Sequence, residues 1–120
     1  VKLKEIIWIS SSKKDLLSLP EDVVNLMGYG LFLAQKGQQH GAAKVLKGFG
    51  SAGVVEIIDS DSSGTYRVVY TVQMAEAVFV LHSLQKKSKQ GIKTPQKDID
   101  LIHSRLKLAI EMYKVRFKKK

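Results

Sequence analysis

Between Gly53 and Gln85 the chain carries three runs rich in β-branched and aromatic residues, split by two short polar turns. The runs are about Gly53 to Asp59, Thr65 to Gln73 and Ala77 to Gln85, and the turns are DSDSSG and QMAE. Turns this short join antiparallel neighbours, because a parallel connection needs about a dozen residues or more. A three-strand antiparallel meander is therefore the frame that the rest of the chain must fit.

The flanks supply further elements. Leu3 to Ile9 (LKEIIWI) alternates imperfectly and reads as a first strand. Ser12 with Asp15 three residues on resembles a helix start, where a side-chain oxygen takes up free amides. Pro20 suits the first turn of a second helix, with Glu21 and Asp22 well placed for its dipole. Val23, Val24, Met27, Leu31 and Ala34 recur at helical spacing until Gly37. Gly28 and Gly30 inside that helix cost roughly 1 kcal/mol each against alanine, so close contact with a neighbour is expected there. A polar loop runs to Gly50. Thr94 as cap and Pro95 at the first position open a last helix, with Ile99, Ile102, Leu106, Ala109, Ile110, Tyr113 and Phe117 as its apolar stripe. The expected class is α+β: a small antiparallel sheet in β-α-α-β-β-β-α order, with helices packed on one face. A chain of 120 residues with 44% apolar positions reads as one domain, 1–120, with a basic tail from about 114 to 120.

Charge is distributed unevenly. From Leu84 to Lys120 there are twelve Lys/Arg and three Asp/Glu, whereas Val1 to Ser83 holds eight of each. The whole net charge of +9 sits in the last third. That asymmetry fits either an anionic partner or a solvated basic helix. The absence of cysteine removes disulfides and cysteine-ligated zinc, and fits the cytoplasm. No apolar run has the length of a membrane span, and the N-terminal segment is too quickly interrupted to read as a secretory signal. No membrane partner is expected.

Several motifs carry little. GFGSAG, Gly48 to Gly53, matches a dinucleotide-loop pattern, but a loop precedes it and a strand follows. The dinucleotide motif needs the opposite order. His40, His82 and His103 show no metal-ligand spacing, so neither a metal nor a cofactor is expected.

TYRVVYTV, Thr65 to Val72, says more. Alternation puts Tyr66, Val68, Tyr70 and Val72 on one face, and Arg67, Val69, Thr71 and Gln73 on the other. If the helices cover the Tyr/Val face, Arg67 points into an open one, where an anion could sit. The other reading is a salt bridge from Arg67 to Glu56 on the neighbouring strand, since a mid-strand arginine must be exposed or paired. In the expected strand order Lys47, Glu56, Arg67, His82 and Lys86 or Lys87 converge on one side. Such a cluster could bind phosphate and stabilise a phosphorane-like transition state.

KVLKGFGSAGVVEI, TYRVVYTV, FVLHSLQKKSKQGIKTP and DIDLIHSRL together resemble the RelE/HigB branch of the RelE/ParE superfamily of bacterial toxins, most of all its phage-related HigB-like members. The resemblance covers most of the chain. It implies the toxin of a type II toxin–antitoxin system, partnered by an antitoxin that is often a helix-turn-helix protein. It also implies a metal-independent endoribonuclease, an mRNA interferase acting on ribosome-bound mRNA. In such enzymes the ribose 2′-hydroxyl attacks the adjacent phosphate, leaving a cyclic phosphate and a free 5′-hydroxyl.

By this resemblance Arg67 matches the arginine that contacts the scissile phosphate, Lys86 and Lys87 the basic pair ending the last strand, and Lys47 the lysine of the L-K-G loop. His82 falls near positions with functional polar residues. Lys44, Lys89 and Lys93 are assigned to RNA binding. Arg67→Ala is expected to abolish toxicity with the fold intact. Two departures stand out: Glu56-Ile57-Ile58 lacks a strand arginine common in relatives, and Tyr113 is not a secure equivalent of their C-terminal tyrosine. The general base is unassigned. A ParE-like inhibitor of gyrase and a catalytically inactive nucleic-acid-binding member are the alternatives.

Overall fold

The computed structural model describes residues 2–86 and 93–117. It contains β1 (Glu5–Trp8), α1 (Ser12–Leu17), α2 (Glu21–Gln35), β2 (Ala43–Val45), β3 (Val54–Asp61), β4 (Gly64–Thr71), β5 (Ala77–Lys86) and α3 (Gln96–Phe117). The α+β class and the order of the expected elements stand. The meander is present, with β3–β4 and β4–β5 antiparallel.

Three features differ from expectation. The sheet is mixed and five-stranded, in the order β1-β5-β4-β3-β2, with β1 parallel to β5. The loop after α2 contains the short edge strand β2, which pairs Lys44 with Glu56. Its exposed lysine blunts a sheet edge that would otherwise template aggregation. Finally, the helices do not share one face. Leu16, Val23, Met27, Leu31 and Ala34 of α1 and α2 pack on Ile57, Tyr66, Val68, Tyr70, Val78 and Val80. Ile102, Leu106 and Ala109 of α3 pack on Val54, Val69, Phe79 and Leu81, on the opposite side. Both faces of the central strands are apolar, so each needs cover.

Local chemistry at the helix starts differs too. Ser11, not Ser12, occupies the N-cap of α1, and its hydroxyl bonds Asp15 Oδ2 at 2.7 Å. The Ser12 hydroxyl is buried and donates to the Val80 carbonyl at 3.0 Å, tying α1 to β5. Pro20 stands at the N-cap of α2, one residue before its first turn. Ile99 N donates to the Pro95 carbonyl at the start of α3. Gly30 is where α2 meets the sheet: a Cβ there would lie 2.3 Å from Ile57 Cδ1. The expected close contact is real for Gly30, whereas Gly28 has open space around it.

One irregularity shapes the site. The β4–β5 register passes from Val69↔His82 to Tyr70↔Val80, leaving Leu81 as a bulge residue. Adjacent strand residues normally face opposite ways. The bulge lets Leu81 enter the α3-side core while His82 also reaches α3. Among the described residues no helix is long and apolar enough to cross a membrane.

Candidate active site

An open cleft of about 450 Å³ lies between β2, the end of β3's buried stretch and the start of α3. Lys44, Val45, Leu46, Lys47, Glu56, Lys93, Thr94 and Ile99 line it. Lys44, Lys47 and Lys93 are exposed, so three lysines contribute to its open lining. Glu56 is 3% exposed and supplies a carboxylate to the wall.

Glu56 is held from two sides. Arg67 Nη1 donates to Glu56 Oε1 at 2.8 Å, and Thr94 Oγ1 donates to the same oxygen at 3.3 Å. The first contact follows from register: Val69 opposes Glu56 and Arg67 opposes Ile58, so Arg67 and Glu56 are diagonal neighbours on one face. Of the two sequence readings for Arg67, the salt bridge is the one realised. The expectation of an open face fails, because Arg67 is 1% exposed and its face of the sheet is the one that carries α3.

His82 lies apart from the cleft lining, though on the same face. Its Nε2 is 2.8 Å from Asp98 Oδ1, and its Nδ1 is 3.4 Å from Arg105 Nη1. Arginine can only donate, so Nδ1 is the acceptor and the Nε2–H donates to Asp98. Arg105 also donates to the Leu81 carbonyl at 2.9 Å and to Ser11 Oγ at 3.1 Å. This buried network ties α1, β5 and the first turns of α3 together. Asp98 and Arg105 carry no spacing signature in the sequence, since the bulge at Leu81 is what brings His82 to them.

Lys86 is half-buried at the end of β5, opposite Thr65. Strand alternation keeps it on the face of Arg67 and His82. Lys87 and Lys89 lie outside the described residues. Of the sequence candidates, the structure therefore gathers Lys44, Lys47 and Lys93 around Glu56, with Arg67 behind it. The sequence places Glu56 in the converging cluster and as a possible partner for Arg67 but gives it no catalytic role, and Thr94 is legible there only as a helix start.

Tyr113 belongs to the other end of the molecule. Its hydroxyl donates to Glu76 Oε1, and that hydrogen bond raises the phenol pKa. Seventeen residues separate it from Gln96 along α3, about 26 Å at the helical rise.

Residues 14–107 match the family described as Phage derived protein Gp49-like (DUF891). Curated proteins give no significant match. Among solved structures, the E. coli toxin RelE, a mutant in the free state, is similar at a TM-score of 0.52 and 17% identity, covering 90% of this chain and 98% of its own. The Mycobacterium tuberculosis RelBE2 toxin–antitoxin complex contains a chain similar at a TM-score of 0.48 and 18% identity, covering 72% of this chain and all of its own. The fold is like that of RelE, and the match to residues 14–107 covers most of the chain: it belongs to the phage-derived Gp49-like family.

Proposed function

We propose that this protein is the toxin of a type II toxin–antitoxin system, and that it acts as a metal-independent endoribonuclease on ribosome-bound mRNA in the cytoplasm. The observation that carries the reading is a carboxylate set among cations: Glu56, fixed by Arg67, in a cleft ringed by Lys44, Lys47 and Lys93. The lysines attract the RNA backbone, and the adjoining N-terminal end of α3 adds positive potential.

In this proposal Glu56 accepts the proton of the ribose 2′-hydroxyl. The 2′-oxygen forms a bond to phosphorus while the bond to the 5′-oxygen breaks. Lys47 protonates the departing 5′-oxygen, and the products are a 2′,3′-cyclic phosphate and a 5′-hydroxyl end. Lys44, Lys93 and Lys86 stabilise the charge on the non-bridging oxygens, because preorganised cations cost no reorganisation during the reaction. Arg67 orients the Glu56 carboxylate from behind. His82, through Asp98, positions the start of α3 and hence Thr94. Lys87 and Lys89 follow Lys86 in sequence and are assigned to the RNA backbone. The proposed partner is a cognate antitoxin of the helix-turn-helix kind.

Induced expression in bacteria, with mapping of mRNA 5′ ends, tests the proposal. Growth arrest with new 5′ ends is expected from the intact protein. Arrest without new ends would move the target to gyrase, and neither effect from abundant folded protein would leave a binding module only.

A further inference from the structure

Phe49 and His103 form a near-parallel stack, with ring centroids 4.1 Å apart and planes at 26°. Phe49 is 8% exposed and sits in the α3-side core. It is flanked by Gly48 and Gly50, both left-handed, with φ of +99° and +57°. That conformation favours glycine and lets the loop turn a phenyl ring inward between two exposed residues. His103 is exposed. With one side of its ring fixed on Phe49, the imidazole presents its remaining surface outward, already ordered by the core beneath it.

The stack adjoins the cleft through both partners. Phe49 follows Lys47, a cleft residue, by two positions. His103 lies one helical turn, about 6 Å, beyond Ile99, another cleft residue, on the same side of α3. Lys107, exposed, lies one turn further along. The wall thus runs from phosphate-attracting lysines to an outward-facing planar ring and then to another cation. Proteins that hold single-stranded RNA pair these two components: cations for the backbone, and aromatic faces for unstacked bases.

We infer that the His103–Phe49 stack is a platform for a nucleobase of single-stranded RNA whose backbone occupies the lysine cleft. The inference rests on the RNA-binding half of the proposed function and not on cleavage. A base placed on His103 would extend the stack by one ring, and the imidazole loses little further entropy because Phe49 already holds it. His103 acts as a positioning residue, fixing which nucleotide lies beside Glu56.

The test measures binding of a labelled short single-stranded oligoribonucleotide to the purified full chain across a range of salt. His103→Ala should weaken binding about tenfold, the effect expected of one lost base stack, without changing the salt slope. His103→Phe should bind within about twofold of the intact protein, since the stacking surface is kept. Lys47→Gln should lower the salt slope, because it removes a phosphate contact. A strand of abasic nucleotides should bind the intact protein and His103→Ala equally. If Lys47→Gln weakens binding and His103→Ala does not, the cleft holds RNA and the platform is wrong. If the intact protein binds no RNA, both the platform and the nucleic-acid reading fail. Binding assays keep these outcomes separate from loss of catalysis.

Discussion

Arg67 and Glu56, on adjacent strands and 1% and 3% exposed, share a 2.8 Å charge-assisted hydrogen bond at the back of the lysine cleft. Two buried charges at this distance are interdependent. Removing the cation leaves a buried carboxylate without its ion-pair partner, which costs about 3–5 kcal/mol. Arg67→Ala should therefore lower stability by that amount in urea denaturation. A midpoint within experimental error of the parent would show that the pair contributes nothing to stability.

The His82–Asp98–Arg105 network makes a second prediction. Arg105 is 8% exposed and donates to Leu81, His82 and Ser11. Its loss strands a buried carbonyl and a buried ring nitrogen. Arg105→Ala should cost about 2–4 kcal/mol, while His82→Gln, which can still reach Asp98, should cost less. Comparable losses from the two would contradict the assignment of Arg105 as the hub.

The two α2 glycines should respond differently. Gly28 is exposed, and a methyl added there would meet nothing within 4 Å, so Gly28→Ala should raise stability by about 0.5–1 kcal/mol through helix propensity. Gly30→Ala would press on Ile57 Cδ1, in the core, and should gain less or lose stability. Thermal unfolding of both variants decides the matter.

Tyr70 gives a pH dependence. Burial pushes its phenol up from 10.0 to about 12. The folded protein therefore holds a proton that the unfolded chain releases near pH 10, so this stabilisation is complete below pH 10 and is lost as pH rises toward 12. Stability should fall more steeply between pH 10 and 12 in the parent than in Tyr70→Phe. Parallel curves would show that burial does not set this titration.

Much of this architecture is written locally. The alternation of Tyr66, Val68 and Tyr70 against Arg67 and Val69 appears as expected, and the α3 stripe from Ile99 to Phe117 packs on the core. What escapes a reading of the sequence depends on contacts distant along the chain. Phe79 and Leu81 give no local sign that α3 lies opposite α1 and α2, because both strand faces are apolar. The β2 segment AKV is too short and too charged to stand out, and β1 pairs in parallel with a strand some seventy residues away. The Arg67–Glu56 pair is readable because it spans one hairpin. The surroundings of His82 are not, because they require a bulge and two residues of α3.

The central claim is that Glu56, held by Arg67 among the cleft lysines, accepts the 2′-hydroxyl proton. The most direct measurement compares intact protein and Glu56→Gln on ribosome-bound mRNA, reading cleavage rate and end chemistry together. Glutamine keeps the shape and an oxygen for Arg67, but is a far weaker base. The account predicts 5′-hydroxyl and cyclic phosphate ends from the intact protein, and a rate reduced by about 10²- to 10⁴-fold in the variant. Equal rates from the two folded proteins would contradict it.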